Sequence, residues 1–422
     1  MIYLTAINKG ISLDYIPMTK LKTSTVGIFI HRRLKKEEAS LNAILPKILK
    51  RGCRLAKTRI EIEEYLDNLY GGDLRGGCFK KGEDQVIYFS VEAITEKYTI
   101  NKEPLFKKMT ELLMSIVFEP VTEKGGFKKD YVEQEKKNLI ERIESLKNDK
   151  RSYASMRCVQ EMCAGTDFAI PSYGSVEDVK EIDSITLYEY YKNLIQNSKI
   201  EVYVSGECDI SEAEKIIKDS LPDIEFNGGE IALDGILKKD GDVKYVEEKL
   251  DVTQGKLSMG FTTNINSTGD DYFALMVANS IFGGGAHSKL FNNVREKLSL
   301  CYYASSSVDR YKSIMIVNAG IEFENYQKAY DEILNQLDAV KKGDISELEY
   351  VSSINAIINS LTSCFDDQFA MQSFKLSEGI LKTGNSLEEC IEKIKAVTLE
   401  DAVAAAQNIR LDTVYFLKGE KV

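Results

Sequence analysis

The chain has 422 residues, of which 43% are hydrophobic and 29% charged, a composition typical of a globular protein with two or more domains. Its formal net charge of −11 argues against a nucleic-acid-binding protein, because such proteins present a basic surface to phosphates. No segment approaches the roughly 18 apolar residues of a membrane span, and the first residues lack the apolar run of a signal peptide. The eight cysteines include no Cys-x-x-Cys pair, so we expect reduced thiols and a cytoplasmic location.

The first half of the chain predicts an alternation of paired strands and longer runs of helices. β-branched or alternating runs indicate strands, and apolar residues spaced by three and four indicate helices. In chain order, strands are predicted at 2–7 and 24–30, helices at 37–50 and 59–70, strands at 74–79 and 85–93, helices at 104–117, 128–149, 154–164 and 186–196, and a strand at 200–205.

The second half repeats this order. Strands are predicted at 244–249 and 256–262, a helix at 270–281, a short helix around Arg295, strands at 299–308 and 313–322, helices at 326–340, 345–361, 367–383 and 399–409, and a strand at 413–417. Tyr131 and Tyr350 open the two long helices, and Gly206 and Gly419 follow the two closing strands. We therefore predict a duplicated unit of about 210 residues. Adjacent strands combined with runs of helices indicate an α+β fold, with domains at 1–221 and 244–422 and a linker at 222–243.

The stretch from Phe282 to Arg310 contains the strongest local pattern, FGGGAHSKLFNNVREKLSLCYYASSSVDR. Gly283, Gly284 and Gly285 end an apolar helix, and glycine suits such an end because it adopts left-handed backbone angles without a Cβ penalty. Arg295 follows on a short amphipathic helix, and Tyr302 opens an alternating strand. A guanidinium and a phenol are both donors for an oxygen that gains negative charge. The pattern alone also allows Arg295 to be a solvated charge and Tyr302 a core residue.

Read in register, the segment Ser288–Tyr302 resembles a motif of the insulinase (pitrilysin-type) zinc metallopeptidase family. Shared features are the serine, the Leu-Phe pair, the Val-Arg-Glu triplet and the final tyrosine. The resemblance implies that Arg295 holds the substrate backbone and that Tyr302 supports the oxyanion, with the glycines as a supporting turn. It covers essentially the whole chain. It also implies two homologous halves, each a mixed sheet with helices packed on it, that together form half of a clamshell.

Active members of that family carry a His-x-x-Glu-His motif, in which two imidazoles one helical turn apart bind zinc and the glutamate activates water. This chain has only two histidines, His31 and His287, which lie far apart in the sequence. The motif therefore cannot occur anywhere in the chain.

The family pattern still indicates where the missing residues would lie. Anchored on the sequence Lys-Arg-Gly-Cys at 50–53, it places the two histidines on Ala43 and Lys47 and the catalytic glutamate on Pro46. Pro46 is also expected to disturb its helix. The second zinc-binding glutamate falls on Arg142. All four positions have lost the family's residues, so we expect no metal in this chain.

These observations predict a non-catalytic subunit without a cofactor of its own. We expect it to join a homologous subunit that carries the zinc, and to supply Arg295 and Tyr302 to the hydrolysis of an extended peptide. The main alternative is a non-hydrolytic peptide-binding or scaffold protein with the same fold. A phosphate-binding loop at 283–289 would lack the usual Gly-Lys-Ser/Thr ending. A zinc-independent peptidase would need a group of catalytic residues that the sequence does not contain.

Overall fold

The structure is a computed structural model that describes residues 3–231, 235, 237 and 241–419. It divides into two compact units, each assembled from three stretches of the chain. Unit 1 contains the described residues of 1–144, 170–233 and 364–380, and unit 2 contains those of 145–169, 234–363 and 381–422. Within the described part of the chain, no helix is long and apolar enough to cross a membrane.

The secondary structure alternates between strand pairs and helices throughout. Up to residue 231 the elements are β1 (Tyr3–Asn8), β2 (Ile11–Pro17), β3 (Thr23–Arg33), α1 (Lys36–Leu49), α2 (Arg59–Asp67), β4 (Asp73–Lys81), β5 (Asp84–Ile94), α3 (Leu105–Phe118), β6 (Thr122–Glu123), β7 (Gly126–Phe127), α4 (Lys129–Ser145), α5 (Lys150–Met162), α6 (Val176–Lys180), α7 (Ser184–Asn197), β8 (Lys199–Gly206) and α8 (Ile210–Asp219). From residue 241 they are β9 (Lys244–Leu250), β10 (Gly255–Thr262), α9 (Asp271–Gly283), a π-helical segment (Leu290–Lys297), β11 (Cys301–Asp309), β12 (Ile314–Ile321), α10 (Tyr326–Lys341), α11 (Glu347–Ser363), α12 (Gln368–Leu381), α13 (Leu387–Ala396), α14 (Leu399–Gln407) and β13 (Arg410–Gly419).

Each predicted strand or helix corresponds to an observed element, and the differences lie at the ends and in short segments. The helix predicted at 128–149 ends at Ser145, and a new helix begins at Lys150. The sequence analysis did not predict β2, β6, β7, α6, α8 or α13. Ile2, with which the first predicted strand begins, lies outside the described residues, as do 232–234, 236 and 238–240 of the predicted linker.

The two units contain sheets of the same topology. In unit 1 the strand order is β1-β2-β8-β3-β5-β4, and in unit 2 it is β11-β12-β10-β13-β9. Leaving out β1, the sequence β2-β8-β3-β5-β4 corresponds to β9-β13-β10-β12-β11. The pairs β2–β8 and β9–β13 are parallel, whereas the other pairs in these two sheets are antiparallel. This agreement confirms the predicted α+β fold with mixed sheets.

Each compact unit contains one helix that comes from the other half of the sequence. Helix α12 comes from the second half of the sequence but packs in unit 1, on β3 and β8. Its Gln368 amide donates to the carbonyl of Thr23 at 2.7 Å and accepts from the hydroxyl of Ser205 at 2.8 Å. The ring of Phe369 lies 6.1 Å from that of Phe29. The two compact units therefore do not follow the boundary between the predicted domains at 1–221 and 244–422.

Helix α5 makes the converse exchange and packs on the sheet of unit 2. The hydroxyl of Tyr153 donates to Glu248 Oε1 at 2.7 Å, and Asn318 Nδ2 donates to Ser155 Oγ at 3.3 Å. Space for the helix depends on Gly260 in the central strand β10, because a Cβ there would lie 2.7 Å from the sulfur of Met162. In unit 1, a Cβ at Gly27 of the equivalent strand β3 would overlap the side chain of Gln372 in α12.

We predict opposite effects for two glycine-to-alanine substitutions. Gly260→Ala lowers the free energy of unfolding by about 1 kcal/mol or more, because the new methyl group overpacks the contact with α5. Gly379→Ala raises it by about 1 kcal/mol, because Gly379 is exposed in α12, a Cβ there meets no atom within 4 Å, and alanine is the better helix former. Urea unfolding of both variants measures the free energy of unfolding. A change of the same sign and size in both variants would contradict the close contact between Gly260 and α5.

The sheet face beneath α12 carries buried ionisable groups. The His31 imidazole lies between two carboxylates, with Nδ1 3.1 Å from Asp84 Oδ2 and Nε2 3.3 Å from Glu201 Oε2. Burial lowers the pKa of His31, but the hydrogen bonds and charges of Asp84 and Glu201 outweigh it and raise the pKa overall. Tyr203 donates a further hydrogen bond to Glu201 at 3.1 Å. Hydrogen bonds as well as apolar packing therefore stabilise this face of the sheet.

Asp14 on β2 makes stability depend on pH. Burial raises its pKa from 3.8 to about 6, with a smaller contribution from Glu201, against the opposing charge of Lys375. Its stabilising contribution is fully present below pH 3.8 and is lost as the pH rises through about 6. We predict that Asp14→Asn becomes more stable relative to the wild type by about 1–2 kcal/mol between pH 4 and pH 7, allowing for partial exposure. Thermal unfolding at the two pH values measures this gain, and a constant difference would contradict it.

Candidate functional site

A cavity of about 740 Å³ lies in unit 1, between α1, α2, β4 and α4. Ala43, Lys47 and Arg142 line it, and these are three of the four positions where the family pattern places the zinc site. Pro46, the fourth position, is buried in α1 outside the lining. The structure thus brings together most of the residues that the sequence pattern singled out.

Helical geometry explains this convergence. Ala43 and Lys47 are one turn apart on α1 and share a face, and Glu135 and Arg142 are two turns apart on α4. The expected disturbance at Pro46 is not seen, because α1 continues without a break to Leu49. Pro46 lacks the N–H that would donate to the carbonyl of Asn42, so the last turn of α1 forms with one hydrogen bond fewer.

Positive charge dominates the lining. We use the name basic cavity for the space lined by Lys47, Lys50, Arg51, Arg59 and Arg142. Three carboxylates also line it, at positions 63, 73 and 135, together with the mainly apolar or neutral residues Ala43, Ile62, Leu66, Gly72, Leu74, Asn138, Leu139 and Tyr173.

These residues do not fit a zinc ion. Ala43 offers no donor atom, and the ammonium of Lys47 and the guanidinium of Arg142 repel a divalent cation. Among the described residues, no group of three or more His, Cys, Asp or Glu side chains has the arrangement to hold a metal. The chemistry of the cavity therefore differs from that of a zinc peptidase.

The groups inside the basic cavity are only partly paired. Arg51 Nε lies 3.2 Å from Glu135 Oε1, yet this buried N–H makes no hydrogen bond because its direction is unsuitable. Lys50 donates to the carbonyl of Gly76 at 3.2 Å. Burial lowers the pKa of Lys50, and the nearby charges of Lys47 and Arg59 lower it further. The cavity therefore has an excess of positive potential.

The second candidate feature is the segment Ser288–Tyr302 in unit 2, which we name the Arg/Tyr segment. Buried Leu290 and Val294 fix its π-helical part against the core. The guanidinium of Arg295 lies 4.7 Å from the ring centroid of Phe291, and its Nε lies 3.4 Å from Glu296 Oε1. The Arg295 side chain is 41% exposed, so it can reach a ligand from outside the unit.

Tyr302 lies on β11, the edge strand of its sheet, and is 56% exposed, so it is not a core residue. Its hydroxyl donates to Glu322 Oε1 at 2.6 Å, and this hydrogen bond raises the pKa of Tyr302. Burial raises the pKa of neighbouring Cys301 to about 11, whereas the charge of Arg295 acts in the opposite direction. The charge of Arg295 therefore acts on Cys301, the first residue of β11.

Comparison with known proteins identifies the family. A family model described as the peptidase M16 inactive domain matches residues 182–357. A Bacillus subtilis (strain 168) protein described as probable inactive metalloprotease YmfF is 36% identical over 410 residues, which cover 97% of this chain and 96% of that protein. The chain belongs to the M16 peptidase family. The predicted resemblance to insulinase-type proteins that lack catalytic residues is thereby confirmed.

Two further similarities extend this result. A crystal structure of a conserved protein from Enterococcus faecalis V583 has a TM-score of 0.93 and 29% identity, and the match covers 100% of this chain and 99% of that one. A second Bacillus subtilis (strain 168) protein, described as uncharacterized zinc protease YmxG, is 22% identical over 242 residues, or 57% of this chain and 58% of that protein.

The three glycines of this M16 chain have a different role from the one expected. We expected left-handed backbone angles, but Gly284 has a φ of −82° and none of the three has a positive φ. At Gly283 and Gly284, close packing requires the small side chain instead. A Cβ at Gly283 would lie 2.7 Å from the backbone nitrogen of Ser306 in β11, and one at Gly284 would lie 2.6 Å from the Cα of Ser280.

The sequence reasoning missed Lys50, Arg51 and Glu322. Lys50 and Arg51 follow Lys47 by three and four positions, the spacing of neighbours on a helix face, although α1 itself ends at Leu49. That spacing could have indicated a basic surface at the end of α1. No pattern in the sequence pairs Glu322 with Tyr302, because they meet only through the register of β11 and β12.

A matched pair of variants tests the packing of the glycine turn. We predict that Gly283→Ala lowers the free energy of unfolding by about 1–3 kcal/mol, because β11 has to move away from the added methyl group. Gly285→Ala changes it by less than about 1 kcal/mol, because the nearest neighbour is the movable side chain of His287 at 3.1 Å. Chemical unfolding measures both values, and equal losses would contradict the close approach at Gly283.

Proposed function

We propose that this chain is the catalytically incomplete subunit of a two-subunit M16 peptidase. Its partner would be a homologous subunit that carries the zinc ligands, and the substrate an extended peptide. Arg295 and Tyr302 would contribute to peptide binding and to stabilisation of the oxyanion. The observation that carries the proposal is that both side chains are exposed donors, whereas the cavity at the degenerate zinc positions contains no set of metal ligands.

The position of Tyr302 supports the binding of an extended peptide. β11 is at the end of the strand order in the sheet of unit 2, so its outer edge is suited to pairing with an added strand. A peptide bound along this edge would place its backbone beside Tyr302. Main-chain hydrogen bonds of this kind tolerate many side chains, which suits a peptidase with broad specificity.

The donors of the Arg/Tyr segment suit an oxygen on which charge develops. The guanidinium of Arg295 has only the adjacent Glu296 as a close carboxylate, at 3.4 Å among the described residues, so some of its donors can turn to a peptide carbonyl. The hydroxyl of Tyr302 is bonded to Glu322. A substrate oxyanion would have to replace that carboxylate as the acceptor, and the gain would appear only as the oxyanion forms.

The comparisons support the coexistence of complementary homologues. In Bacillus subtilis, one similar protein is described as a probable inactive metalloprotease and another as a zinc protease. The eight free cysteines suit a reducing compartment, and we include a cytoplasmic location in the proposal.

The decisive experiment uses the chain copurified from its own cells with a homologue that contains His-x-x-Glu-His. We predict that Arg295→Ala and Tyr302→Phe each lower kcat/KM of the pair for an unstructured peptide at least about tenfold, the effect of losing one transition-state donor. Lys297→Ala, two residues beyond Arg295, and Tyr245→Phe, on the opposite edge strand, should change it less than about twofold. Tyr245 is a matched control because it is 59% exposed and its hydroxyl also has a partner, Tyr330, at 3.0 Å.

The proposed role of the Arg/Tyr segment would be wrong if the Arg295→Ala and Tyr302→Phe variants were as active as the two controls. Recovery of the chain alone, with no hydrolytic activity, would instead favour a non-hydrolytic peptide-binding or scaffold protein.

A further inference from the structure

The basic cavity in unit 1 has no role in the proposed chemistry of Arg295 and Tyr302. We propose that it binds an organic carboxylate. The proposal rests on the cavity's own residues and not on a partner subunit, so it can hold even if the paired peptidase does not exist.

The balance of charges inside the cavity is the first argument. Five cationic side chains line it against three carboxylates. One of those carboxylates, Asp73, is already bound at 2.6 Å by Arg75, which is not a lining residue. The ammonium of Lys47 makes no ion pair or hydrogen bond within the described part of the chain. An anion in the cavity would therefore meet a net excess of positive charge.

The partly unpaired guanidinium of Arg51 is the second argument. Arg51 Nε is shielded from solvent and makes no hydrogen bond, although Glu135 is 3.2 Å away. Glu135 instead accepts a hydrogen bond from Asn138 at 3.0 Å. Because Nε has no exposed surface, a ligand in the cavity could meet Arg51 only through the rest of its guanidinium group. Carboxylate oxygens are acceptors that match the guanidinium fork.

Size and lining favour an organic anion over a bare inorganic ion. About 740 Å³ lies within the range of pockets that hold small organic ligands, roughly 300–1,000 Å³. Ile62, Leu66 and Leu139 form apolar parts of the wall beside the charged groups. Such a mixture suits a carbon skeleton that carries carboxylates, whether an acidic peptide segment or a free polycarboxylic acid. The chain's net charge of −11 makes a nucleic acid a poor occupant.

Isothermal titration of the full-length chain tests the proposal with four probes. They are the peptide acetyl-Ala-Glu-Glu-Ala-amide, its glutamine counterpart, citrate and inorganic phosphate. We expect one of the carboxylate probes to bind at least tenfold more tightly than phosphate and the glutamine peptide, and to weaken as salt is added. The peptide and citrate arms distinguish a peptide segment from a free acid.

Three variants show whether the binding occurs in the basic cavity. Lys47→Gln and Arg142→Gln should each weaken the bound carboxylate about tenfold, the effect of one charged hydrogen bond. Lys137→Gln on α4 removes the same charge from outside the lining and should change affinity less than twofold. All three positions are exposed, so the variants are expected to fold, and melting curves check this.

Four results would overturn the proposal. They are no binding of either carboxylate probe, equal affinity for phosphate, equal affinity for the glutamine peptide, and equal weakening by Lys137→Gln. Loss of peptidase activity in the Arg295→Ala variant of the pair would not affect these titrations, so the two proposals can fail separately.

Discussion

In each unit, a helix from the other half of the sequence packs on the sheet, and this contact fixes how the remaining elements can be arranged. Each sheet needs cover on both faces, and in both units one cover is a helix from the other half of the sequence. Gly27 and Gly260, on equivalent central strands, leave the room for these helices. These contacts include buried amides and carboxylates. An unpaired buried polar group is costly, so the position of each helix is restricted to one that allows their hydrogen bonds to form.

The Arg/Tyr segment depends on a similar close approach in unit 2. Gly283 lets the end of α9 lie against Ser306 of β11, and buried Leu290 and Val294 hold the intervening helix in place. The same packing leaves Arg295 and Tyr302 exposed. Rigid support combined with exposed donors is the arrangement expected of groups that position a substrate. The proposed subunit role rests on this combination.

The degenerate zinc positions illustrate how replacement changes the chemistry of a site. At positions where the family pattern places zinc-binding residues, Lys47 and Arg142 add positive charge to the cavity. The excess of positive charge in this cavity repels a divalent cation. The lowered pKa of Lys50 reflects its burial together with the nearby positive charges of Lys47 and Arg59. An anionic ligand would offset these positive charges.

Inspection of the amino-acid order was enough to predict the order of the main elements, the repeated pattern, the absence of a His-x-x-Glu-His motif and the family. These features depend on local periodicity or on a run of adjacent residues. The tertiary structure was needed to show that α5 and α12 exchange units, that Gly283 and Gly284 allow close packing, and that Tyr302 donates a hydrogen bond to Glu322. It also showed that Arg51 and Lys50 join Lys47 and Arg142 around one cavity. Such relations join residues far apart in the chain, and side-chain contacts across sheets and between helices leave no periodic trace in the sequence.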